Sequence, residues 1–190
     1  LKEVTETFNA VKKINKNIAL TQCTSSYPCN PKISDINVIK EYIKKFKVVT
    51  GLSDHTSKIY TSIGAIAVGA RIIEKHFTLN KKSKGPDHAS SIEPSELKDL
   101  VNGCNIVFQA RGNTKQIHKE EIEIINWARE SVVSKQDIKI GENLNKQNIT
   151  VKRPAANKNE IPANLYFKII NKVAKKNIKK DKKIKWHQIR

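Results

Sequence analysis

Apolar residues along the first 112 positions alternate between helical spacing and short continuous runs. The continuous runs predict strands, and apolar residues three or four positions apart predict helices. In chain order the predicted elements are helix 2–14, strand 18–23, helix 34–46, strand 48–51, helix 57–69, strand 72–77 and helix 94–112. Such alternation is typical of parallel strands joined by right-handed helical crossovers. The first part of the chain is therefore predicted to be an α/β unit with three strands.

Several side chains in this unit are expected to be buried or to cap a helix. The strand 18–23 is expected to be buried, with Cys23 packed at its end. Ser34 is a candidate cap for the helix that follows it. Pro94 is expected to begin the last helix. That helix carries an apolar stripe whose spacing predicts a core face: Leu97, Leu100, Val101, Cys104, Val107 and Phe108.

A repeat marks the last sixty residues of the chain. Four apolar positions recur forty residues later with identical spacing: Val133, Ile138, Leu144 and Ile149 correspond to Val173, Ile178, Ile184 and Ile189. Two copies of a strand, turn and strand predict a small pseudo-symmetric β-rich domain, close to the lower size limit for an independent core. The expected divisions are 1–114 for the α/β unit, 115–130 for a linker with a short helix at 119–128, and 131–190 for the β-rich domain.

The charge of the chain is strongly positive, with 36 Lys and Arg against 18 Asp and Glu, and the excess lies toward the carboxyl end. A basic surface can attract nucleic acid or an anionic membrane. Arginine is scarce, however, and aromatic residues make up only 6% of the chain, so no stacking platform accompanies the lysines. We expect neither a nucleic-acid partner nor a membrane partner.

The cysteines, the apolar runs and the first residues of the sequence indicate where the protein is located and whether it is a fragment. Three cysteines without a C-x-x-C pair are typical of reduced thiols in a cytoplasmic protein. No apolar run approaches the length of a membrane span, and nothing resembles a signal peptide. The sequence begins at Leu1 inside a predicted helix, so we expect a fragment of a longer protein.

Polar side chains cluster where the three predicted strands end. They are Thr24, Ser25 and Tyr27, then Ser53, Asp54 and His55, then Glu74 and His76. The carboxyl ends of parallel strands meet at one edge, and neighbouring strands lie ~4.8 Å apart. His55 and His76 can therefore converge on one divalent cation that acts as a Lewis acid. The alternative is that each histidine is a hydrogen-bonded structural residue.

Each of the other polar candidates also has a structural alternative. Ser25 and Ser53 could donate to a phosphate or cap a helix. Glu74 could be functional or form a buried ion pair with a lysine. Asp87, in the string G-P-D-H, could bind polyol hydroxyls or cap a turn. Arg153 could serve a site or be one more surface cation. The residues alone indicate an α/β domain with a candidate anion and metal site.

Five strings, taken in order, resemble the sialic acid synthase family, which includes legionaminic and pseudaminic acid synthases. They are Q-C-T-S-S-Y-P, G-L-S-D-H-T, E-K-H-F-T, K-G-P-D-H-A-S-S-I-E-P and V-K-R-P. The resemblance implies a TIM (β/α)8 barrel followed by a small antifreeze-like, or SAF, domain. A full barrel needs about 250 residues. Residues 1–114 would then be the carboxyl-terminal portion of the barrel, about three βα units, and 131–190 would be the SAF domain.

The resemblance also implies a reaction. Phosphoenolpyruvate would condense with an N-acylhexosamine such as N-acetylmannosamine, giving a nine-carbon 2-keto sugar acid and phosphate. His55 and His76 match the ligands of Mn2+, or of Mg2+ or Co2+ in its place. Ser53 matches a phosphoenolpyruvate contact, and Ser25 lies where some members carry asparagine.

Further positions match residues that contact the sugar substrate or the active site of the partner subunit. Tyr27, Asp87 and the catalytic candidate Glu74 match sugar-side residues. Arg153 matches an arginine that the SAF domain of one protomer inserts into the active site of the other, which implies a domain-swapped homodimer. The loop after V-K-R-P lacks the family's usual glycines, and G-P-D-H favours the sialic or legionaminic branch. We expect this chain alone to be inactive. The alternative is an inactive remnant whose SAF domain binds sugars or mediates dimerisation.

Overall fold

The computed structural model describes residues 1–190, which form two compact units, Leu1–Asn113 and Thr114–Arg190. The first unit contains α1 (Lys2–Lys12), β1 (Ala19–Cys23), α2 (Val38–Phe46), β2 (Val49–Asp54), α3 (Tyr60–Val68), β3 (Ile72–Lys75) and α4 (Pro94–Ala110). Its strands form one parallel sheet in the order β1-β2-β3. The predicted alternation of helices and parallel strands is confirmed, and α4 begins at Pro94 as expected.

One face of this sheet is covered by helices and the other is open. Leu52 of β2 is buried with Ile39 of α2 and Ala65 of α3. Side chains alternate along a strand, so neighbouring residues point to opposite faces. On the opposite face, Val49 is 50% exposed and Ile72 is 37% exposed. The apolar core of the first unit therefore lies between the sheet and its helices.

The expected burial of the first strand is wrong. Only Gln22 of β1 is buried, and Cys23 at its end is exposed. The reason is topological, because β1 is an edge strand that pairs with β2 alone and shares the open face of the sheet. An apolar run predicts a strand, but it does not tell how many neighbours the strand has.

The expected helix cap at Ser34 is also wrong. Ser34 ends a short 3-10 turn, Pro31–Ile33, in which the Asn30 side chain accepts from the backbone N–H of Lys32. The helix α2 begins four residues later, at Val38. Local turn chemistry around two prolines delays the start of the helix.

The apolar stripe of α4 is only partly a core face. Leu100 is buried, whereas Leu97, Val101 and Phe108 are exposed. Together with residues of α3 and β3, the stripe lines an open groove of about 400 Å³. Helical spacing shows which residues share a face, and the neighbouring elements decide whether that face is covered.

Gly51 lies at the centre of β2, where β3 approaches closely. It pairs with Ile72, and a Cβ at position 51 would lie 2.7 Å from the Cβ of Ile72. Because the backbone of Ile72 would have to move, we expect Gly51→Ala to lower the free energy of unfolding by about 1–3 kcal/mol. Urea denaturation would measure the loss.

A matched control is Gly64→Ala in α3. A Cβ there would lie 3.3 Å from the flexible end of Ile36, and alanine favours a helix over glycine. We expect this variant to be as stable as the unsubstituted protein or more so. Equal destabilisation by both substitutions would contradict the importance of the close approach at Gly51.

The second unit is built on a pseudo-twofold axis. It contains α5 (Ile122–Ala128), the antiparallel pair β4 (Ser131–Ser134) and β5 (Ile149–Lys152), and α6 (Tyr166–Ile169). Ile138 and Ile178, which are equivalent in the repeat, exchange two backbone hydrogen bonds of 2.8 Å. The bridge between Asn143 and Val173 recurs as the bridge between Lys183 and Val133. These pairings relate the two copies by a twofold rotation.

The repeat positions supply most of the core of the second unit. All of them are buried except Val173, which is partly exposed. The remaining core residues include Val132, Ile161, Ile169 and Ala174. The repeated positions therefore form most of the core of this unit. Neither unit contains a helix with the length and apolar character needed to cross a membrane.

Candidate active site at the strand ends

Three rings from three strand ends cluster in the first unit. His55 follows β2, His76 follows β3, and their ring centroids lie 5.2 Å apart. Tyr27, in the loop after β1, lies with its ring centroid 4.1 Å from that of His55 and 5.7 Å from that of His76. The structure therefore brings together the two histidines that the sequence places at neighbouring strand ends.

His55 is held in a defined orientation. Its ring is buried, and Nδ1 lies 2.9 Å from the carbonyl oxygen of Thr24. A carbonyl can only accept, so Nδ1 carries the hydrogen and donates. In a neutral imidazole this arrangement places the lone pair on Nε2. The histidine backbone is fixed as well, because the N–H of Cys29 donates to the His55 carbonyl at 2.8 Å. A backbone carbonyl that fixes a histidine ring in this way leaves the other ring nitrogen able to bind a ligand.

Ser53 and Glu74 form a hydrogen-bonded pair on the open face of the sheet. They are register partners, and the Ser53 hydroxyl donates to Oε1 of Glu74 at 2.6 Å. Ser53 is buried and Glu74 is exposed. The suggested buried ion pair of Glu74 with a lysine is therefore not what the structure shows. The predicted strand 48–51 also ends too early, because β2 continues through Asp54 and so brings Ser53 into the ladder.

Sequence reasoning missed a buried ion pair beneath this site. Asp54 and Lys75 are register partners on the helix-covered face, with Nζ 3.3 Å from Oδ2. Their side chains are 0% and 4% exposed. Opposite charges in the residues just before His55 and His76 were the available signal.

Asp54 is stabilised as a carboxylate. Burial by itself raises the pKa of Asp54. Hydrogen bonds from the Ser62 and Thr61 hydroxyls and the Thr56 N–H, together with the charge of Lys75, outweigh burial and hold that pKa below its usual value. Burial lowers the pKa of Lys75, although the charge of Asp54 opposes the change. The carboxylate and the ammonium therefore depend on each other in a site that is almost closed to solvent.

Two predicted site residues lie on the loops that follow β1 and β3. Ser25 is exposed, with its hydroxyl 3.9 Å from the thiol of Cys23. Asp87 is exposed, and its backbone carbonyl accepts from the hydroxyls of Ser90 and Ser91. Its side chain makes no capping hydrogen bond. The suggested turn cap by the Asp87 side chain is therefore absent.

Arg153 belongs to the second unit. It lies in the loop after β5, where its guanidinium carbon is 4.8 Å from the ring centroid of Trp127. Such stacking attracts the cation to the aromatic face and restricts the orientation of the guanidinium. Sequence reasoning did not single out Trp127, because the two residues are separated in the chain and no spacing rule connects them.

The fold and the strand-end cluster define an α/β protein with a candidate active site, and comparison with known proteins gives its family. A model of the NeuB family matches residues 1–116, and a model of the SAF domain matches residues 129–190. The chain belongs to the NeuB family. The family and the SAF domain expected from the five strings are thereby confirmed.

Similar proteins carry related names. The chain is 41% identical over 189 residues to the N,N'-diacetyllegionaminic acid synthase of Campylobacter jejuni, covering 97% of this chain and 56% of that protein. It is 40% identical over 149 residues to the N-acetylneuraminate-9-phosphate synthase of Mus musculus, covering 77% and 42%. The crystal structure of a spore coat polysaccharide biosynthesis protein from Bacillus subtilis matches with a TM-score of 0.55 and 27% identity, covering 100% and 58%. The chain spans about half the length of the curated relatives it matches.

Proposed function

We propose that the protein containing this chain condenses phosphoenolpyruvate with an N-acylhexosamine such as N-acetylmannosamine. One water molecule is consumed, because it adds to the carbon that carries the phosphate, and the products are a nine-carbon 2-keto sugar acid and phosphate. One observation carries the proposal: His55, His76 and Tyr27 converge at the strand ends of a chain that is 41% identical to a legionaminic acid synthase. Glu74 and Ser53 form a hydrogen-bonded pair on the open face of the sheet, two residues before His76 and His55.

The first unit fits a segment of a (β/α)8 barrel. Its sheet is covered by helices on one side and open on the other, and both β1 and β3 have a free edge. In a closed barrel, five further strands would pair with these edges and cover the open face. The open face, which carries Ser53 and Glu74, would then line the barrel interior. Catalysis on this proposal belongs to the complete barrel, and this chain alone is inactive.

The two histidines fit a divalent cation such as Mn2+, Mg2+ or Co2+. The Nε2 lone pair of His55 is free because Nδ1 donates to Thr24, and the ring of His76 lies beside it. Within this chain no third His, Cys, Asp or Glu joins them, so the remaining ligands would come from the rest of the complete barrel or from substrate oxygens. When bound, the cation would polarise the sugar aldehyde toward attack by the enol carbon.

Glu74 is the proposed catalytic carboxylate. One oxygen of Glu74 is held by the Ser53 hydroxyl, and the exposed group leaves the other oxygen free to accept from a sugar hydroxyl. A carboxylate fixed in this way can hold or accept a proton without changing its orientation. When phosphoenolpyruvate binds, the Ser53 hydroxyl would donate its hydrogen bond to the substrate instead of to Glu74.

The remaining candidates would bind the substrates from the surrounding loops. The Tyr27 ring lies over His55, and its exposed edge can contact the sugar. Ser25 and Asp87 are exposed polar groups on loops at the same ends of the strands. We propose a phosphoenolpyruvate contact for Ser25 and a sugar contact for Asp87.

Arg153 would act on the active site of a partner subunit in a domain-swapped homodimer. Stacking on Trp127 orients its guanidinium before binding, which lowers the entropy lost when it contacts a substrate. Arginine offers several donors in a fixed plane, which suits a carbonyl or carboxylate acceptor on the substrate. The proposal places one SAF domain at each of two equivalent sites.

Expression of the full open reading frame that contains this chain would test the proposed function. We expect phosphate release from phosphoenolpyruvate in the presence of N-acetylmannosamine or a related N-acylhexosamine and Mn2+. Release should need both substrates and should stop when a chelator removes the metal. A complete, folded protein that is silent with every N-acylhexosamine would contradict the proposal. Binding of a sugar acid by that silent protein would favour the alternative of an inactive carbohydrate-binding remnant.

A further inference from the structure

We propose that the buried Asp54–Lys75 pair is a positioning device that sets the separation of His55 and His76. The inference rests on the proposed function, since it takes the two histidines as the ligands of one cation. It assigns a role to side chains that do not touch the substrates. Its consequence is that metal affinity depends on an ion pair on the opposite face of the sheet.

The pair occupies the last rung between the two strands that carry the histidines. Asp54 pairs with Lys75 in the parallel register, and this is the final pair of the β2–β3 ladder. His55 and His76 are the next residue on each strand. Beyond this rung no backbone pairing between the strands holds the histidines at a set distance. The ion pair therefore lies at the last rung of the ladder before the two histidines.

Lys75 contacts the residues on both sides of His55 in the chain. Its ammonium lies 3.3 Å from Asp54, the residue before His55, and also donates to the backbone carbonyl of Thr56, the residue after it. A shift of Lys75 would release both flanks of the histidine. The contact with Thr56 also ties β3 to the start of the loop that follows β2.

Asp54 anchors the rung to the helix layer. Its carboxylate accepts from the Thr56 N–H at 2.8 Å, from the Thr61 hydroxyl at 2.7 Å and from the Ser62 hydroxyl at 2.6 Å. Thr61 and Ser62 lie in the first turn of α3. The strand end, the loop and the helix are thus joined at one carboxylate, which limits the movement of the histidine next to it.

The chemistry of the pair suits positioning better than stabilisation. A buried ion pair seldom adds more stability than apolar residues of the same size, but its geometry is specific. Sites that bind metals lose affinity when their supporting shell is loosened by about 1 Å. Because side chains alternate along a strand, Asp54 and Lys75 point away from the histidines and act on them only through the backbone.

The test compares two double variants of the full-length protein. Asp54→Asn with Lys75→Met removes both charges without leaving one buried alone, so the fold should persist. The control, Glu160→Gln with Lys183→Met, makes the equivalent change to a pair in the second unit whose atoms lie 3.0 Å apart. Mn2+ titration followed by electron paramagnetic resonance gives the dissociation constant. Pulsed measurements of 14N coupling report how many histidines bind the ion.

We expect the dissociation constant for Mn2+ to rise about 10- to 100-fold in the first double variant, as it does when supporting residues of a metal site are removed. The 14N coupling of at least one histidine should weaken or disappear. The control should match the unsubstituted protein in both measurements. A purely structural role of the pair would change the thermal unfolding temperature and leave the nitrogen couplings as they were.

Two results would overturn the inference in distinguishable ways. A folded Asp54→Asn, Lys75→Met protein with unchanged affinity and couplings would refute the positioning role and leave the proposed function standing. An unsubstituted protein that binds Mn2+ without nitrogen coupling would refute the metal site itself, and the inference with it. Asp54→Glu provides a second variant if the double variant does not fold. It keeps both charges but displaces the carboxylate, and unchanged Mn2+ affinity there would also refute the role.

Discussion

Replacement of His55 or His76 by alanine in the complete protein is expected to lower metal-dependent phosphate release by about 10³-fold. Each histidine provides one of the two nitrogen ligands proposed from the chain, and the ring centroids lie 5.2 Å apart. With one ligand removed, the remaining nitrogen binds a divalent cation weakly. On the proposed function, the sugar aldehyde would then lose the polarisation that lowers the barrier to attack.

The orientation of the His55 ring indicates which of its nitrogens would bind the metal. Its Nδ1 is already committed to the Thr24 carbonyl, so only Nε2 is left for a ligand. Steady-state phosphate release at several Mn2+ concentrations would separate weaker metal binding from a lower rate at saturation. A raised metal requirement with partial recovery at high Mn2+ is the expected pattern.

The exposed residue His187 provides the control. It lies in the second unit, and His187→Ala should leave metal-dependent release unchanged. Full activity of the complete protein with His55→Ala or His76→Ala, at ordinary Mn2+ concentrations, would show that the two rings are not the metal ligands.

Lys75→Met alone is expected to lower the free energy of unfolding by about 3–5 kcal/mol at neutral pH. The substitution leaves the Asp54 carboxylate buried without its cation, and the side chain of Asp54 is fully enclosed. Addition of Asp54→Asn should recover much of the loss, since no uncompensated charge then remains. Urea denaturation of the single and double variants would give the coupling energy.

The pH dependence follows from the direction of the Asp54 shift. The pKa of Asp54 is lower in the folded protein than in the unfolded chain, where it is about 3.9. Its contribution to stability is therefore complete above about pH 4 and is lost as the pH falls through the folded-state pKa. The penalty of Lys75→Met should shrink over the acid range, because a protonated Asp54 needs no cation. A loss of stability that is equal in the single and double variants at neutral pH would rule out this coupling.

Much of the fold could be predicted because it depends on local patterns. Alternating apolar runs predicted parallel strands joined by helices, and the parallel sheet follows that order. The forty-residue repeat predicted a pseudo-symmetric second domain, and the equivalent residues Ile138 and Ile178 meet across a pseudo-twofold axis. Placement of His55 and His76 at neighbouring strand ends needed only the order of the elements.

Other features depend on contacts between segments that are distant in the chain. The exposure of β1 and of the α4 stripe is set by which neighbours cover them, and spacing along one element contains no such information. The length of β2 was also not given by the apolar pattern, and this length determines which polar residues pair at the site. Because β2 extends through Asp54, Ser53 meets Glu74 and Asp54 meets Lys75 across the ladder.

The sequence by itself determined the α/β class, the repeat and the family to which the chain belongs, along with the two histidines and the glutamate of the candidate site. Only the tertiary structure decided which side chains face each other. In the folded protein Glu74 accepts a hydrogen bond from Ser53, and Arg153 stacks on Trp127. Asp54 is buried with Lys75. The physical reason is that hydrophobic periodicity specifies the face of one element, whereas strand register and the packing of distant segments determine the partners of a polar group.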